Sequence, residues 1–343
     1  MHLEKLAPCL LLAAAITGRA AAPQQAGPDL NPADAPARLK VTEPAALLEG
    51  EWQPVRGDYQ SADGLMANTN GEVFFSDRLS TNVWKIGLDG KVTVFKNAPG
   101  GALTFGSDGK LYHCQGANKR IVAYDPAGNE ETVVTDVEPN DIAAAHNGNL
   151  YITDSRNKKV WLINSRREKR VVDEGITFPN GIRFSPDQTR LYVSDYRGDS
   201  VYAFEVLPDG SLTNRQPHCR LRLKEGSMQS SADGMTVDVL GWIYVTTDSG
   251  LQVCDASGKV QAGIPKPEEK GTPSVTFGGK DLKLLFLSCG GKVYRRLAQS
   301  RGALSFERPT LPFDFKTPDV VPRPPDFKTQ EVVPQPPKVV PRR

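Results

Sequence analysis

Short apolar segments separated by polar turns recur along the whole chain. Six times, a turn rich in Gly, Asp and Asn is followed by an apolar segment with an aromatic residue at its centre. The six aromatic residues are Phe74, Tyr112, Tyr151, Tyr192, Tyr244 and Phe286. They lie 38 to 52 residues apart, an interval that is typical of propeller blades and solenoid turns. The chain is therefore predicted to be a repeat array.

Further apolar segments flank each aromatic residue. One precedes it, as GIRF does after Asn180, and a segment such as VTVF or KRVV often ends the unit. In the first four copies another strand peaks ten residues after the aromatic residue, at Trp84, Val122, Trp161 and Tyr202. Each unit thus supplies about the four strands of a propeller blade, and no long stretch has helical periodicity. We predict an all-β fold, a six-bladed β-propeller over residues 46–308.

The N-terminal end differs in composition from the repeats. Lys5 precedes an apolar run at residues 6–16 and three Ala at 20–22, a pattern that predicts a secretory signal peptide over residues 1–22. Residues 23–45 are predicted to be a linker. The apolar run is too short to span a membrane, and the rest of the chain has no longer one. We expect an exported protein, secreted or periplasmic, without a transmembrane segment.

The C-terminal end is rich in Pro, Val and charged residues over 309–343. It contains a near-duplication, DFKTPDVVPRPP from Asp314 and DFKTQEVVPQPP from Asp326. Pro at this spacing forbids regular strands and favours an extended, low-complexity tail. A disordered end is the preferred interpretation, because few apolar residues are present to offset the entropy of ordering. The alternative is a segment that contacts the cell envelope or another protein.

The net charge and the spacing of the cysteines exclude some classes of partner and site. The net charge is only +2 and the basic residues are scattered, which argues against nucleic acid as a partner. Four cysteines follow the predicted signal peptide: Cys114, Cys219, Cys254 and Cys289. Their even number permits two disulfides, but their spacing matches neither a zinc knuckle nor a small disulfide scaffold. Buried free thiols are the preferred interpretation.

Four polar residues occupy matching positions of their repeats. Asp63, Asn140, Asn180 and Asp233 precede the aromatic residue of their repeat by 11 or 12 positions. The innermost strands of a propeller run in one direction along the central channel, so their first residues emerge at one mouth. We therefore expect these four side chains to converge. The other two repeats have Gly101 and the pair Pro273 and Ser274 at this place.

This convergence predicts a metal site. Two carboxylates and two amides, with no Lys or Arg among the four positions, repel one another and stay undersatisfied unless a cation lies between them. Calcium binds carboxylate and amide oxygens and tolerates irregular geometry, whereas the absence of His and Cys disfavours zinc. The alternative is that Asp-Gly and Asn-Gly pairs simply begin turns. Four residues at matching offsets favour the metal site.

A second ring of aspartates is interpreted differently. Asp77, Asp154, Asp195 and Asp248 end the strand that carries the aromatic residue. They are expected to accept hydrogen bonds from backbone N–H groups in the turns that follow. The alternative is that they support the metal without binding it directly. The sequence has no Gly-x-Ser-x-Gly elbow and no phosphate-binding Gly loop.

Three segments resemble a known family. FPNGIRFSPDQTRLYVSD from Phe178, SADGMTVDVLGWIYV from Ser231 and PNDIAAAHNGNLYITD from Pro139 are similar to the senescence marker protein, gluconolactonase and luciferin-regenerating enzyme family, over about residues 50–296. The resemblance implies a six-bladed propeller that binds a divalent cation, usually calcium, and hydrolyses lactones or related esters. Asn180 and Asp233 match metal ligands of the family. Asn140 matches an Asn that contacts substrate in some members and metal in others.

Two positions depart from the family pattern. Asp63 stands where the family has Glu in a Glu-Gly-Pro element, and Glu138 stands where a basic residue often precedes Pro-Asn-Asp. We expect Asp63, Asn180 and Asp233 to hold the metal, Asn140 to bind substrate, and Asp233 to be the catalytic residue that provides or activates the nucleophile. The predicted function is a metal-dependent hydrolase of a lactone or ester. The alternative is a non-catalytic propeller of the cell envelope that binds a ligand or partner.

Overall fold

The computed structural model describes residues 47–310, which form 24 strands in six four-stranded antiparallel sheets. The predicted six-bladed all-β propeller is confirmed. The predicted signal peptide at 1–22, the linker at 23–45 and all but the first two residues of the predicted tail at 309–343 lie outside the described residues. Between residues 47 and 310 the helical content is one 3-10 turn, Gly116–Asn118, and no helix there is long and apolar enough to cross a membrane.

Each of the first five blades consists of four strands that are consecutive in the chain. Blade one is β2 (Ala62–Ala67), β3 (Val73–Asp77), β4 (Asn82–Ile86) and β5 (Val92–Asn97). Blade two is β6 (Leu103–Phe105), β7 (Leu111–Gln115), β8 (Arg120–Tyr124) and β9 (Glu130–Thr135). Blade three is β10 (Ile142–Ala144), β11 (Leu150–Asp154), β12 (Lys159–Ile163) and β13 (Lys169–Glu174).

The remaining blades follow the same order from the channel outwards. Blade four is β14 (Pro179–Phe184), β15 (Arg190–Asp195), β16 (Ser200–Val206) and β17 (Leu212–Arg220). Blade five is β18 (Met235–Val237), β19 (Ile243–Thr247), β20 (Gly250–Cys254) and β21 (Val260–Ile264). Blade six is β22 (Val275–Gly278), β23 (Leu284–Cys289), β24 (Lys292–Ala298) and, on its outer edge, β1 (Leu48–Val55).

Blade six is closed by the N-terminal strand, which the repeat pattern did not reveal. Strand β1 pairs antiparallel with β24 from Leu48 opposite Ala298 to Val55 opposite Val293. Leu48 is buried in the core of the last two blades. The pairing joins the first described strand to the last one, so the ring is closed by hydrogen bonds between distant parts of the chain.

The six recurring aromatic residues lie on the second strand of each blade, where three of them contact the inner strand of the next blade. The ring of Tyr151 meets that of Phe184 edge to face, at 5.3 Å between centroids. Phe74 and Phe105 (5.1 Å) and Tyr244 and Phe277 (5.1 Å) repeat this contact. Such pairs contribute about 0.5–1.5 kcal/mol beyond the burial of their area. The aromatic repeat therefore holds neighbouring blades together.

The segment after β24 lies across the far end of the channel. Ala303 donates its backbone N–H to Val237, and Ser305 donates its hydroxyl to the carbonyl of Ala144, so the segment touches the last residues of β18 and β10. The Phe306 ring is buried and meets Phe105 at the end of β6, at 6.0 Å between centroids. The inner strands begin at the opposite mouth, which is the one that the four polar residues reach.

Candidate active site at the channel mouth

Neighbouring blades contact one another close to the start of their inner strands. These contacts are hydrogen bonds from Thr153 Oγ1 to the Asn180 carbonyl (2.6 Å), Gly181 N to the Asp233 carbonyl (3.2 Å), Gly234 N to the Pro273 carbonyl (2.9 Å) and Leu65 N to Ser274 Oγ (2.8 Å). They link blades three, four, five, six and one in order. Four of the six repeat positions singled out from the sequence are thus joined through their neighbours at one level of the channel.

Glycine permits these close approaches. The positions that follow Asp63 and Asn180 sit in bulges, since register shifts occur between Asp63 and Met66 and between Pro179 and Ile182. At Gly181 a Cβ atom would lie 2.3 Å from the carbonyl oxygen of Asp233, which no side chain tolerates. Bulges re-aim side chains and recur next to active sites. The Asp-Gly and Asn-Gly pairs therefore serve the packing of the ring and not only turns.

Three of the predicted site residues come together in this ring. The side chain of Asn180 is buried and interacts with the carboxyl of Asp233, whose charged form it favours. Burial raises the pKa of Asp233 well above its usual value, and the negative charge of Asp63 raises it further. Burial likewise raises the pKa of Asp63, although its carboxyl accepts the N–H of Gly64 at 2.7 Å. The mouth therefore holds two carboxylates that interact electrostatically.

The chemistry of this donor set fits a hard divalent cation. Two carboxylates whose charged forms are disfavoured by burial and by each other gain from a cation between them. The amide of Asn180 adds a neutral oxygen that is able to act as a ligand. Among residues 47–310, no three His, Cys, Asp or Glu side chains are grouped as a metal site. An ion at this mouth would depend on amide oxygens as well as on carboxylates.

Asn140 is the fourth predicted residue, and it is placed differently. Its backbone N–H donates to the Thr153 carbonyl at 2.7 Å, which fixes it at the start of β10. Its side chain is partly exposed, and in the described part of the chain it forms no hydrogen bond with Asp63, Asn180 or Asp233. This position is suited to contact with a substrate that enters the mouth.

Asp141, next to Asn140, is a site residue that the sequence reasoning missed. It is buried, and its Oδ2 accepts hydrogen bonds from Arg183 Nη1 at 3.0 Å and from Ile182 N at 3.1 Å. Its negative charge also raises the pKa values of Asp63 and Asp233. The available signal was an Asp directly before an apolar strand together with an Arg inside another inner strand.

Two cations belong to this end of the channel, although the four repeat positions include no Lys or Arg. Arg183 Nη1 also donates to the carbonyl of Ile142 at 3.2 Å. Arg78, which follows β3, has Nη1 3.7 Å from Asp63 Oδ2 and is two-thirds exposed. Its charge lowers the pKa values of Asp63 and Asp233, against the larger effect of burial. Cations from outside the four repeat positions therefore reach this mouth.

Glu138 stands at the rim of the mouth in an ion pair. Lys119 Nζ lies 2.7 Å from Glu138 Oε1, and this contact lowers the pKa of the Glu138 carboxyl. Arg156 also acts on both groups electrostatically. The rim beside Asn140 thus carries two exposed cations around one carboxylate, even though the residue before Pro139 is acidic.

The second ring of aspartates was predicted to accept backbone N–H bonds, and three of its four members do so. Asp77 accepts N–H bonds from Gln60 at 2.8 Å and Leu79 at 2.9 Å. Asp154 accepts from Asn157 N at 3.2 Å, and Asp195 accepts from Phe178 N at 2.9 Å. Asp248 instead accepts the hydroxyl of Ser231 at 2.8 Å.

A large cavity lies on the opposite face of the propeller. Its volume is about 870 Å³, and its lining includes Phe95, Phe105, Tyr124 and Phe306 together with Lys85. None of the four predicted site residues lines it. The volume of this cavity alone does not identify it as the active site. The convergent carboxyl groups with raised pKa values are at the other mouth.

Comparisons with known proteins agree with this geometry. A family model described as SMP-30/Gluconolactonase/LRE-like region matches residues 62–290. The chain is 23% identical to a gluconolactonase of Zymomonas mobilis over 283 residues, which cover 70% of this chain and 79% of the relative.

Two solved structures share the fold. A gluconolactonase of Xanthomonas campestris superposes with a TM-score of 0.65 at 22% identity, over 77% of this chain and 95% of that one. A regucalcin of Agrobacterium tumefaciens, described as a calcium-binding protein, superposes with a TM-score of 0.63 at 17% identity, over 76% and 98%.

Proposed function

Because the chain belongs to the SMP-30/gluconolactonase/LRE-like family, we propose that it hydrolyses a lactone or related ester with the aid of a divalent cation, calcium in the first instance. The observation that carries the proposal is that Asn180, Asp233 and Asp63 lie together in one mouth. Gly181 N donates to the Asp233 carbonyl at 3.2 Å, and burial and the charge of Asp63 raise the pKa of Asp233. The names of the relatives support it, since one is a gluconolactonase and one structural neighbour a calcium-binding protein.

The side chains at the mouth have different roles in the proposed reaction. Asp63, Asn180 and Asp233 would hold the cation, which when bound polarises the substrate carbonyl as a Lewis acid. Asp233 takes the proton of the attacking water. The side chain of Asn180 lies beside this carboxyl and favours its charged form, which is the form that accepts a proton. Water adds to the carbonyl carbon and the ring C–O bond breaks. Asp233 returns the proton to the leaving ring oxygen, and a hydroxy acid is formed.

Two further residues act on the substrate from the rim. Asn140 is partly exposed at the start of β10, where its amide orients the ring of the lactone. Arg78 lies beside Asp63 with its guanidinium largely in solvent, where it attracts the carboxylate of the product. We also propose that the protein works outside the cytoplasm, in the periplasm or the medium. Fractionation of cells that make the full chain tests the location.

The activity is tested with the full chain, a panel of sugar lactones, and calcium added or chelated. Asp233→Asn should abolish turnover with unchanged circular dichroism, and Asp63→Ala should weaken calcium binding in calorimetry without unfolding the blades. Asp248→Asn is the matched control, since this carboxylate lies on the same face and bonds only Ser231 among the described contacts. Full lactonase activity in Asp233→Asn would overturn the assignment.

The cavity on the opposite face favours a second candidate, a propeller that binds a ligand without turning it over. Its aromatic floor and the Lys85–Glu72 ion pair of 3.0 Å suit an amphipathic molecule. Calcium-dependent stabilisation with no hydrolysis of lactones, aryl esters or phosphotriesters would favour this candidate. Lys85→Ala distinguishes the two candidates. Lys85 lies far from the acidic mouth, so this variant should leave lactone turnover unchanged.

A further inference from the structure

Two of the four cysteines lie side by side between neighbouring blades. Cys219 is near the end of β17, the outer strand of blade four, and Cys254 ends β20 in blade five. Both are free, fully buried thiols in one apolar cluster with Val201 and Ile243. Interaction with the Cys254 thiol raises the pKa of the Cys219 thiol, and burial raises it further.

Two independent contacts between the segments that carry these cysteines lie on either side of the pair. On one side, the carbonyl oxygen of His218 lies 2.1 Å from where a Cβ of Gly258 would be. On the other side, Arg222 N donates to Gln252 Oε1 at 2.9 Å, and Gln252 Nε2 donates to the Arg222 carbonyl at 2.8 Å. Residues 218–222 therefore run antiparallel to residues 252–258. Cys219 and Cys254 lie in these two segments, between the two contacts, and in the same apolar cluster.

We propose that Cys219 and Cys254 are a modification site that closes to a disulfide between blades four and five. The oxidant is a low-molecular-weight disulfide. One thiolate attacks it to form a mixed disulfide and release one thiol, and the second thiolate then displaces the other thiol. Two protons and two electrons leave the cysteines, one S–S bond forms in the protein, and one oxidant molecule is reduced to two thiols.

The two cysteines lie on either side of the proposed catalytic residue in the chain. The residues between Cys219 and Cys254 include Asp233, so the disulfide would join the two ends of the segment that carries the proposed catalytic residue. Both thiols are fully buried, and interaction with Cys254 and burial raise the pKa of Cys219. The bond should therefore form while the blades are assembling, before packing shields the sulfurs. The inference does not depend on the proposed hydrolysis.

The other two cysteines offer an internal control. Cys114 lies on β7 in blade two and Cys289 ends β23 in blade six, so they are not in neighbouring blades. Cys289 Sγ donates to the Glu268 carbonyl at 3.4 Å, away from the other thiols. The structure therefore assigns cross-linking to one pair of the four.

The test is refolding of the full chain with oxidised glutathione, followed by alkylation and peptide mapping. We expect one cross-linked peptide joining positions 219 and 254, the loss of two alkylatable thiols, and a Tm roughly 5 to 10 °C above that of the reduced protein. Cys114→Ala/Cys289→Ala should keep both the cross-link and the shift. Cys219→Ala and Cys254→Ala should each abolish them.

Three outcomes would overturn the proposal. They are four alkylatable thiols in the folded, oxidised chain, a cross-link between another pair, and glutathione adducts at 219 or 254 without a bond between them. If Cys219→Ala does not fold, mass analysis of the native sequence alone still decides between these outcomes.

Discussion

Arg183 Nη1 lies 3.0 Å from Asp141 Oδ2, and both side chains are buried in the channel wall between blades three and four. The carboxylate also accepts the N–H groups of Ile142 at 2.8 Å and Ile182 at 3.1 Å. A buried charge with so complete a set of partners is strongly positioned. Because the charge of Asp141 acts on Asp63 and Asp233, the pair belongs electrostatically to the proposed site.

Removing one partner of this pair should be costly. Arg183→Met leaves Asp141 buried without its cation, and we expect a loss of about 3–5 kcal/mol in the free energy of unfolding, measured by urea denaturation. The double variant Asp141→Leu/Arg183→Met should recover part of this loss, since no unpaired charge remains. An exposed pair is the control. Arg220 lies 2.7 Å from Asp199 with its side chain 73% exposed, and Arg220→Met should change stability by less than about 1 kcal/mol.

Histidine 113 should make the fold sensitive to mild acid. Burial lowers the pKa of His113 from 6.5 to about 4. Between these pH values the unfolded chain binds a proton that the folded protein excludes, so stability falls as pH is lowered through this window. The loss reaches about 3 kcal/mol at the acid end, since each pKa unit is worth about 1.4 kcal/mol. His113→Gln should remove this component from the pH profile of urea denaturation.

The matched control for this profile is His146→Gln, because His146 is exposed and lies at the far end of the channel. In this variant the loss of stability that is assigned to His113 should persist. An unchanged slope in the His113 variant would contradict the assignment of the acid sensitivity to that residue.

Closure of the ring by β1 should govern thermal stability. A chain that begins at residue 57 lacks β1, so β24 loses its outer partner and the buried side chain of Leu48 is missing from the core. We expect a lower Tm by differential scanning calorimetry and a broader transition, because the two ends of the ring are no longer joined. Leu48→Ala alone should cost about 2–5 kcal/mol. Glu51→Ala, an exposed change on the same strand, should be close to neutral.

Much of this architecture could be predicted from the sequence. When repeats form a ring, residues at the same position of each repeat lie close together. Tyr151 and Tyr244 were recognisable as recurring core residues, and Asn180 and Asp233 as equivalent first residues of inner strands. Neither inference needed knowledge of long-range contacts. The same symmetry led to Asp63, which belongs to a different blade but to the same level of the channel.

The remaining features depend on contacts that no periodicity encodes. Arg183 occupies an apolar strand, where a sequence pattern predicts a hydrophobic side chain, and its partner Asp141 comes from another blade. Strand β1 pairs with β24 across almost the whole length of the described chain. Arg78 reaches Asp63 from a turn one strand away. Such pairings follow from three-dimensional packing and not from local propensity.

Gly181 should control activity more than stability. A Cβ at this position would lie 2.3 Å from the carbonyl oxygen of Asp233, so Gly181→Ala must displace the backbone that carries the proposed base and its partner Asn180. We expect kcat for lactone hydrolysis to fall about 100-fold, since displacements near 1 Å carry losses of this size. Gly271→Ala is the control, because nothing lies within 4 Å of its added Cβ. Equal kcat values for the two variants would show that the position of Asp233 does not limit the reaction.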